Sequence, residues 1–176
     1  GLASRAHLAQ LIISGDTPTV YVDNVYLVSQ ASGTQNLLIN PSFEGGLAGW
    51  NHFGNVYPAS RNAPQFVPYE GNGMVSMFGN FWGSFNVSGM FQEFPTTPGN
   101  SWQMSAKSRH FSGDAFLGGG VASGDNWVVQ KIAWFDAGNS EIGGVESTIL
   151  DGTFATDTWF DNAPISGFAP AGAVKL

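Results

Sequence analysis

Turn-forming residues interrupt this chain at short and nearly regular intervals, and this spacing limits the possible folds more than any other feature of the sequence. Breaks such as "SGDTP", "EGNG", "TTPGN" and "DAGNS" separate short apolar runs. Helical periodicity is almost absent, and only residues 4–13, "SRAHLAQLII", fit either a short helix or a strand. We therefore predict an all-β protein, a jelly-roll β-sandwich of two antiparallel sheets.

The predicted strands differ in the pattern of their apolar residues. Segment 101–109 begins with clean alternation, which places Trp102, Met104 and Ala106 on one face. Segments 19–28 and 127–136 are apolar on both faces, as expected of central strands. The predicted strands are 19–28, 36–39, 65–69, 74–79, 85–94, 101–109, 127–136, 141–150 and 173–176.

Composition narrows the classes of function. The 176 residues suit one domain, and the 43% of hydrophobic residues are sufficient for a core. The net charge is −7 and the six Lys and Arg residues are scattered singly, so we expect no nucleic-acid partner. The chain has no Cys, which excludes disulfides and thiolate chemistry. No apolar run reaches the roughly 18 residues of a membrane span.

The surface composition predicts an extracellular or cell-surface location. Only 11% of the residues are charged, so solubility depends on Ser, Thr, Asn and Gly, as is common in secreted proteins and in proteins that bind sugars. The chain begins with Gly and shows no signal peptide, so we expect any export signal to have been removed.

The segment that is typical of the end of a domain comes before the segment that is typical of its beginning. Residues 29–35, "SQASGTQ", form a polar linker, and "NLLINPSFEGGLAGW" after them is typical of a domain start. Residues 1–28 are then the closing strands of a jelly roll, and residues 36–176 are its body.

The segment "NLLINPSFEGGLAGW" resembles the opening of the jelly-roll carbohydrate-binding modules (galactose-binding-domain-like) attached to xylanases and other glycoside hydrolases. "YEGNGMVSMFG", "SGMFQEFPTTPGNSWQMSAKS" and "VQKIAWFDAGNSEI" follow in the order of that family, and "YVDNVYL" resembles its closing strand. The resemblance implies a non-catalytic domain that holds a polysaccharide or cell-surface glycan on an aromatic-lined concave face.

The displaced order of these motifs leaves four explanations open. The chain is a circular permutant, one period of a tandem array, an arbitrarily cut fragment, or a subunit that donates residues 1–28 to its neighbour. Head-to-tail donation between identical subunits does not close on itself, so it builds a filament. The alternative to a binding module is therefore a subunit of an extracellular filament or surface polymer.

A carboxylate in the apolar segment 19–28 predicts a metal or a hydrogen-bonded site. A buried Asp23 needs partners, because an unpaired carboxylate costs several kcal/mol. The resemblance implies a structural calcium held by the side chains of Asp23 and Glu44, with carbonyl groups near Ser42 and Asn72. Calcium takes six to eight oxygen ligands in such mixed sets. Considered without the resemblance, Asp23 equally fits a carboxylate that accepts hydrogen bonds from the backbone or from an Asn.

Aromatic residues near loops are the candidates for a sugar platform, since pyranose C–H faces stack on aromatic rings while amides and carboxylates bind hydroxyls. Each candidate aromatic equally fits ordinary packing, and the strand positions of Trp102, Trp134 and Trp159 predict core residues. The resemblance adds Gln92, because its side-chain amide is at a strand position that often faces the ligand cleft in that family. The predicted carbohydrate-binding residues are Trp50, Tyr57, Phe81, Trp82, Gln92 and Trp127.

Catalytic motifs are missing from the sequence, so we predict that the protein is not an enzyme. There is no G-x-S-x-G elbow and no H-E-x-x-H motif. His7, His52 and His110 are scattered, and Glu93 and Glu146 are the acids whose strand positions best fit a groove.

Overall fold

The structure, a computed structural model, describes residues 6–13, 18–61, 66–79, 86–119 and 125–176. These residues form strands joined by turns, and they contain no helix of the length and apolar character that a membrane crossing requires. The strands are β1 Ala6–Ile13, β2 Val20–Ser29, β3 Asn51–Phe53, β4 Asn55–Ser60, β5 Gly73–Phe78, β6 Asn86–Gln92, β7 Ser101–His110, β8 Asn126–Phe135, β9 Glu141–Asp151, β10 Phe160–Asp161 and β11 Ile165–Phe168.

The strands form two antiparallel sheets, which confirms the predicted all-β fold. The five-stranded sheet has the order β3-β6-β1-β8-β9, and the six-stranded sheet has the order β10-β7-β2-β5-β4, with β11 also paired to β7. Their inward faces enclose one hydrophobic core. The predicted inward alternation of β7 is confirmed, since Trp102, Met104 and Ala106 are buried.

The first two strands of the chain lie in the middle of the two sheets. β1 pairs with β6 on one side and with β8 on the other, so that Leu11 lies opposite Ser88 and Val128. β2 pairs with β5 and β7 of the same chain. β1 and β2 therefore complete the two sheets, and each sheet would be divided without its strand.

A β-bulge in β2 sets which of its residues face the core. The register with β7 shifts between Asp23 and Tyr26, and Asn24 adopts a left-handed conformation with φ of 44°. Asn tolerates this conformation better than most residues. As a result both Val22 and Val25 are fully buried, although strict alternation would place them on opposite faces.

Several predicted strands are wrong in position or absent. Residues 36–39 and 66–69 are irregular, and within 173–176 only Lys175 forms bridges, to Pro95 and Phe135. The ambiguous segment 4–13 contains a strand rather than a helix. β3, β4, β10 and β11 were not predicted from the sequence, and they are short or lie at sheet edges.

The C-terminal residues continue the line of β1 between β6 and β8. Phe94 and Leu176 exchange two backbone hydrogen bonds of 3.2 Å, and the Phe135 amide donates to the Lys175 carbonyl at 2.8 Å. Two positions further along the same edge, Gln92 lies opposite Ala6 at the start of β1. Residues 174–176 and β1 therefore lie end to end in one strand position of the sheet.

Candidate functional site

The bulge in β2 presents Asp23 to a tight turn at residues 70–73. The Asp23 side chain is fully buried, and its Oδ1 accepts a hydrogen bond from the Asn24 amide at 2.7 Å. Its Oδ2 accepts from the Glu70 amide at 3.0 Å. Backbone N–H groups therefore satisfy this buried carboxylate, which agrees with the simpler of the two predicted arrangements.

Two further carboxylates, one on this turn and one that bonds to its amides, lie nearby. The Glu70 carboxylate accepts hydrogen bonds from the Asn24 side-chain amide at 2.8 Å and from the Ser42 hydroxyl. Glu44 Oε1 accepts from the Asn72 and Gly73 amides, each at 2.8 Å. We refer to the group Asp23, Asn24, Ser42, Glu44 and Glu70 as the acidic turn cluster.

The environments of these carboxylates move their pKa values in opposite directions. Burial, reinforced by the nearby Glu70 charge, raises the pKa of Asp23 to about 6. The backbone hydrogen bonds that Asp23 accepts lower its pKa, but by less. The amides of Gly73 and Asn72 lower the pKa of Glu44. Lys107 lies opposite Asp23 in the ladder but forms its ion pair with Asp161.

The acidic turn cluster offers oxygen ligands of the kind that calcium prefers, namely carboxylates and a hydroxyl. The predicted ligands Asp23, Ser42, Glu44 and Asn72 all lie around the turn at residues 70–73, although Asp23 and Glu44 bond to different backbone amides. Within the described ranges, no three acidic or His side chains converge as a metal cluster. The oxygen donors are of the type that calcium takes, but the backbone groups that face Asp23 and Glu44 are N–H donors, so calcium stays a prediction that comes from the resemblance.

Glu70 is the residue of this cluster that sequence reasoning missed. The sequence signal that could have identified it is its position in "YEGNG", directly before a glycine turn. In the structure, the Glu70 amide and the Glu70 carboxylate both face the bulge of β2. No linear pattern connects position 70 with positions 23 and 42, since their proximity depends on the pairing of β2 with β5.

Two of the predicted carbohydrate-binding residues are internal. Trp50 is 6% exposed, packs against Phe43 with ring centroids 5.3 Å apart, and donates from Nε1 to the Asn40 carbonyl. Gln92 is 4% exposed and bonds both the amide and the carbonyl of Ile39, at 3.0 and 2.7 Å. Neither side chain presents a surface to a sugar, because each is engaged in packing the segment at residues 39–50.

The other predicted platform residues that the structure describes, Tyr57 and Trp127, lie on different sheets. Tyr57 is exposed on the outer face of the six-stranded sheet, where it stacks on Phe78 at 5.6 Å with an interplanar angle of 14°. Trp127 is half-buried on the outer face of the five-stranded sheet. Phe81 and Trp82 lie outside the described residues.

Among the described residues, the outer face of the five-stranded sheet carries aromatic side chains from β3, β6 and β8. Phe53 lies opposite Gly89, and Phe91 lies two residues along the same strand on the same face. Trp127 is on this face in β8, since the inward-facing position beside it is the buried Val128. Polar side chains on the same face come from β8 and β9, and they are Lys131, Glu146 and Thr148.

The outer face of the six-stranded sheet is partly covered by the segment at residues 66–69. Phe66 packs between Tyr21 and Phe111, with ring centroids 5.6 Å from each. Trp159 donates from Nε1 to the Val67 carbonyl at 2.8 Å. Trp159 was predicted as a core residue but it contributes to this cover instead, whereas Trp102 and Trp134 are in the core as predicted.

The three His residues are separated in the fold. His110 is buried, and its ring bonds the Phe116 amide and the Phe154 carbonyl at 3.0 and 3.1 Å, which gives it a structural role. His52 is exposed on β3, and His7 lies in β1 opposite Phe91. Glu93 is half-buried and Glu146 is exposed. That the protein is not an enzyme remains a prediction.

Comparisons with protein-family models, with curated proteins and with solved structures gave no match to this chain. The geometry of the two outer faces and of the acidic turn cluster is therefore the basis for the function proposed below.

Proposed function

We propose that the protein is a non-catalytic carbohydrate-binding domain of the cell surface or extracellular space. One observation carries the proposal: Phe53, Phe91 and Trp127 lie on a single face of the five-stranded sheet. We call the outer face that they share the aromatic face. Aromatic rings bind sugars by stacking on their apolar C–H surfaces, and a flat sheet face allows several rings to contact one chain.

The dimensions and charge of the aromatic face suit a neutral polysaccharide. β3 and β8 are three strand positions apart, so Phe53 and Trp127 are separated by roughly 14 Å across the sheet. That span accommodates a short run of sugar residues. Thr148, Glu146 and Lys131 offer hydrogen-bonding groups on the same face. The net charge of −7 disfavours anionic glycans.

The strand pairing supports a jelly-roll topology for this domain. β5, β6, β7 and β8 follow one another along the chain, and they pair respectively with β2, β1, β11 and β9. In a jelly roll the second four strands return in reverse order along the first four. The observed pairs have that order if β1 and β2 are counted after β11.

Calcium is part of the proposal, with the carboxylates of Asp23 and Glu44 as side-chain ligands and carbonyl groups near Ser42 and Asn72 completing the set. A bound divalent cation would offset the repulsion between the Asp23 and Glu70 charges. The chain's own residues already hold β2 against the turn at 70–73 through the Asp23 and Glu44 hydrogen bonds. We expect the cation to strengthen this attachment and not to contact the glycan.

Substitution of Trp127 tests the aromatic face. We expect Trp127→Ala to weaken binding of the wild type's preferred neutral polysaccharide at least tenfold in isothermal titration calorimetry. Tyr57→Ala is the matched control, because it removes an exposed aromatic ring from the opposite sheet. The proposal fails if wild-type protein binds none of a panel of neutral xylans, glucans, mannans and galactans, or if both variants bind as the wild type does.

A second candidate function, assembly by strand exchange, is favoured by the arrangement at the C-terminus. Because residues 174–176 and β1 lie end to end between β6 and β8, the β1 of a second copy fits the same strand position. Head-to-tail exchange would then produce a filament. Light scattering over a dilution series with negative-stain imaging tests it: masses that grow with concentration favour the filament, and a single-chain mass at all concentrations excludes it.

A further inference from the structure

A depression lies on the outer side of the six-stranded sheet, opposite the aromatic face. It has a volume of about 490 Å³, within the range of roughly 300–1,000 Å³ that is usual for small-molecule sites. β7 forms its floor, where Gln103 lies between Val28 of β2 and Ser166 of β11. The lining residues are Val28, Ser29, Gln30, Gly33, Ser101, Gln103, Ser166 and Phe168.

Phe168 gives this depression an aromatic wall. Its side chain is 70% exposed, which is the largest value for a large apolar residue in the described part of the chain. It lies in β11 opposite Ser101, outside the hydrophobic core. An exposed Phe contributes little to folding, so its ring face is free to stack on a ligand.

The polar side chains that line this depression are neutral, and all but that of Ser29, which accepts a hydrogen bond from the Ser32 amide, have no hydrogen-bond partner among the described residues. The side chains of Gln30, Ser101, Gln103 and Ser166 line the depression, and none of them hydrogen-bonds to another described residue. No charged residue is among the described residues that line it. Amides and hydroxyls without charged neighbours match sugar hydroxyls and do not match phosphate, sulfate or carboxylate groups, which bind best to cationic donors.

We propose that this depression is a second saccharide site, specific for neutral sugars, in which Phe168 stacks on a sugar ring while Gln103 and Gln30 bind its hydroxyls. It extends the proposed carbohydrate binding to the other sheet, but it is argued from its own residues and does not require the aromatic face to bind. Two sites on opposite faces would allow one domain to contact two glycan chains, which raises avidity for an insoluble polysaccharide.

The test is an NMR titration of the full chain with neutral xylo-, cello-, manno- and galacto-oligosaccharides. We expect at least one of them to shift the Gln103 and Ser166 amide signals. Phe168→Ala should weaken that binding at least tenfold, and the variant should keep the fold because the Phe168 side chain is exposed. Leu117→Ala is the matched control, because it removes another exposed apolar side chain, 53% exposed, that does not line the depression.

The outcomes separate this inference from the proposed function. If Trp127→Ala retains the shifts at Gln103 and Ser166 while Phe168→Ala loses them, the second site is established whether or not the aromatic face binds. The inference is overturned if no neutral oligosaccharide shifts these signals, or if Phe168→Ala and the wild type bind equally well.

Discussion

At the scale of single residues, the buried carboxylate of Asp23 links the sequence to the fold, because it needs hydrogen-bond donors. A buried acid in an apolar strand must find hydrogen-bond donors, and the bulge at Asn24 turns the Asp23 side chain towards the amides of Asn24 and Glu70. Burial nevertheless raises the Asp23 pKa to about 6, so the ionised form remains costly in the folded chain. A cation at this position would lower that cost.

The raised pKa of Asp23 predicts how stability depends on pH when a chelator is present. The folded-state pKa of about 6 exceeds the ordinary value of 3.8, so the folded chain binds the proton more tightly and loses stability as pH rises between these values. We expect the wild type to lose on the order of 2–3 kcal/mol relative to Asp23→Asn between pH 4 and pH 7. Urea unfolding of both proteins at several pH values measures this difference.

Asp157→Asn is the control for the pH experiment. The hydrogen bond from the Ser112 side chain is the main cause that lowers the pKa of Asp157, so its stabilising contribution is lost only as pH falls below about 3.8. Between pH 4.5 and pH 7 the difference between this variant and the wild type should be constant. A constant difference for Asp23→Asn over the same range would contradict the burial of Asp23.

At the scale of elements, Gly54 marks the point where the chain crosses from one sheet to the other. It separates β3 of the five-stranded sheet from β4 of the six-stranded sheet, with φ of 68°. A Cβ at this position would lie 2.8 Å from the Ser88 Cα and the Val87 carbonyl oxygen. Only glycine fits both the conformation and the close approach of the backbone.

Gly54→Ala should therefore destabilise the fold by about 2–4 kcal/mol, from left-handed strain together with displacement of β6. Gly119→Ala is the control, because its added Cβ would make an ordinary contact of 3.6 Å with Thr153. Chemical denaturation of the two variants gives the comparison. Equal stabilities would show that β3 and β4 do not cross between the sheets as described.

The strands with strong local patterns were predictable, and those defined by their partners were not. β2, β7 and β8 carry long apolar runs or alternation that identify them from the sequence. β3 and β4 are short edge strands, and β4 contains Pro58, which lowers its apparent strand propensity although an edge tolerates proline. Their existence depends on pairing with β6 and β5, which no local pattern specifies.

The residues of the candidate sites also fall into two groups, those that a local sequence pattern predicts and those that depend on tertiary contacts. Asp23, Glu44 and Ser42 were predicted and they do lie around one turn, whereas Glu70 and the Phe168 depression depend on contacts between distant segments. The amide of Gln92 and the ring of Trp50 suited a sugar platform in the sequence. In the structure they hold an internal segment, because strand position alone does not reveal what packs above it.

At the scale of the whole molecule, β1 and β2 hold the sandwich together. β1 supplies the central strand of the five-stranded sheet, and therefore the middle of the aromatic face between Phe91 and Trp127. β2 supplies a central strand of the other sheet and two residues of the acidic turn cluster, Asp23 and Asn24. The proposed glycan face exists within one chain only if β1 pairs with β6 and β8 of that same chain.

Hydrogen–deuterium exchange on the isolated single-chain species tests this account most directly. Amides of residues 10–13, which lie between two ladders, should exchange as slowly as those of Val128–Ile132. Slow exchange in a species of single-chain mass is the predicted result. If these amides exchange as fast as those of the turn at residues 45–49, then β1 does not complete its own sheet, and the proposed aromatic face is contradicted.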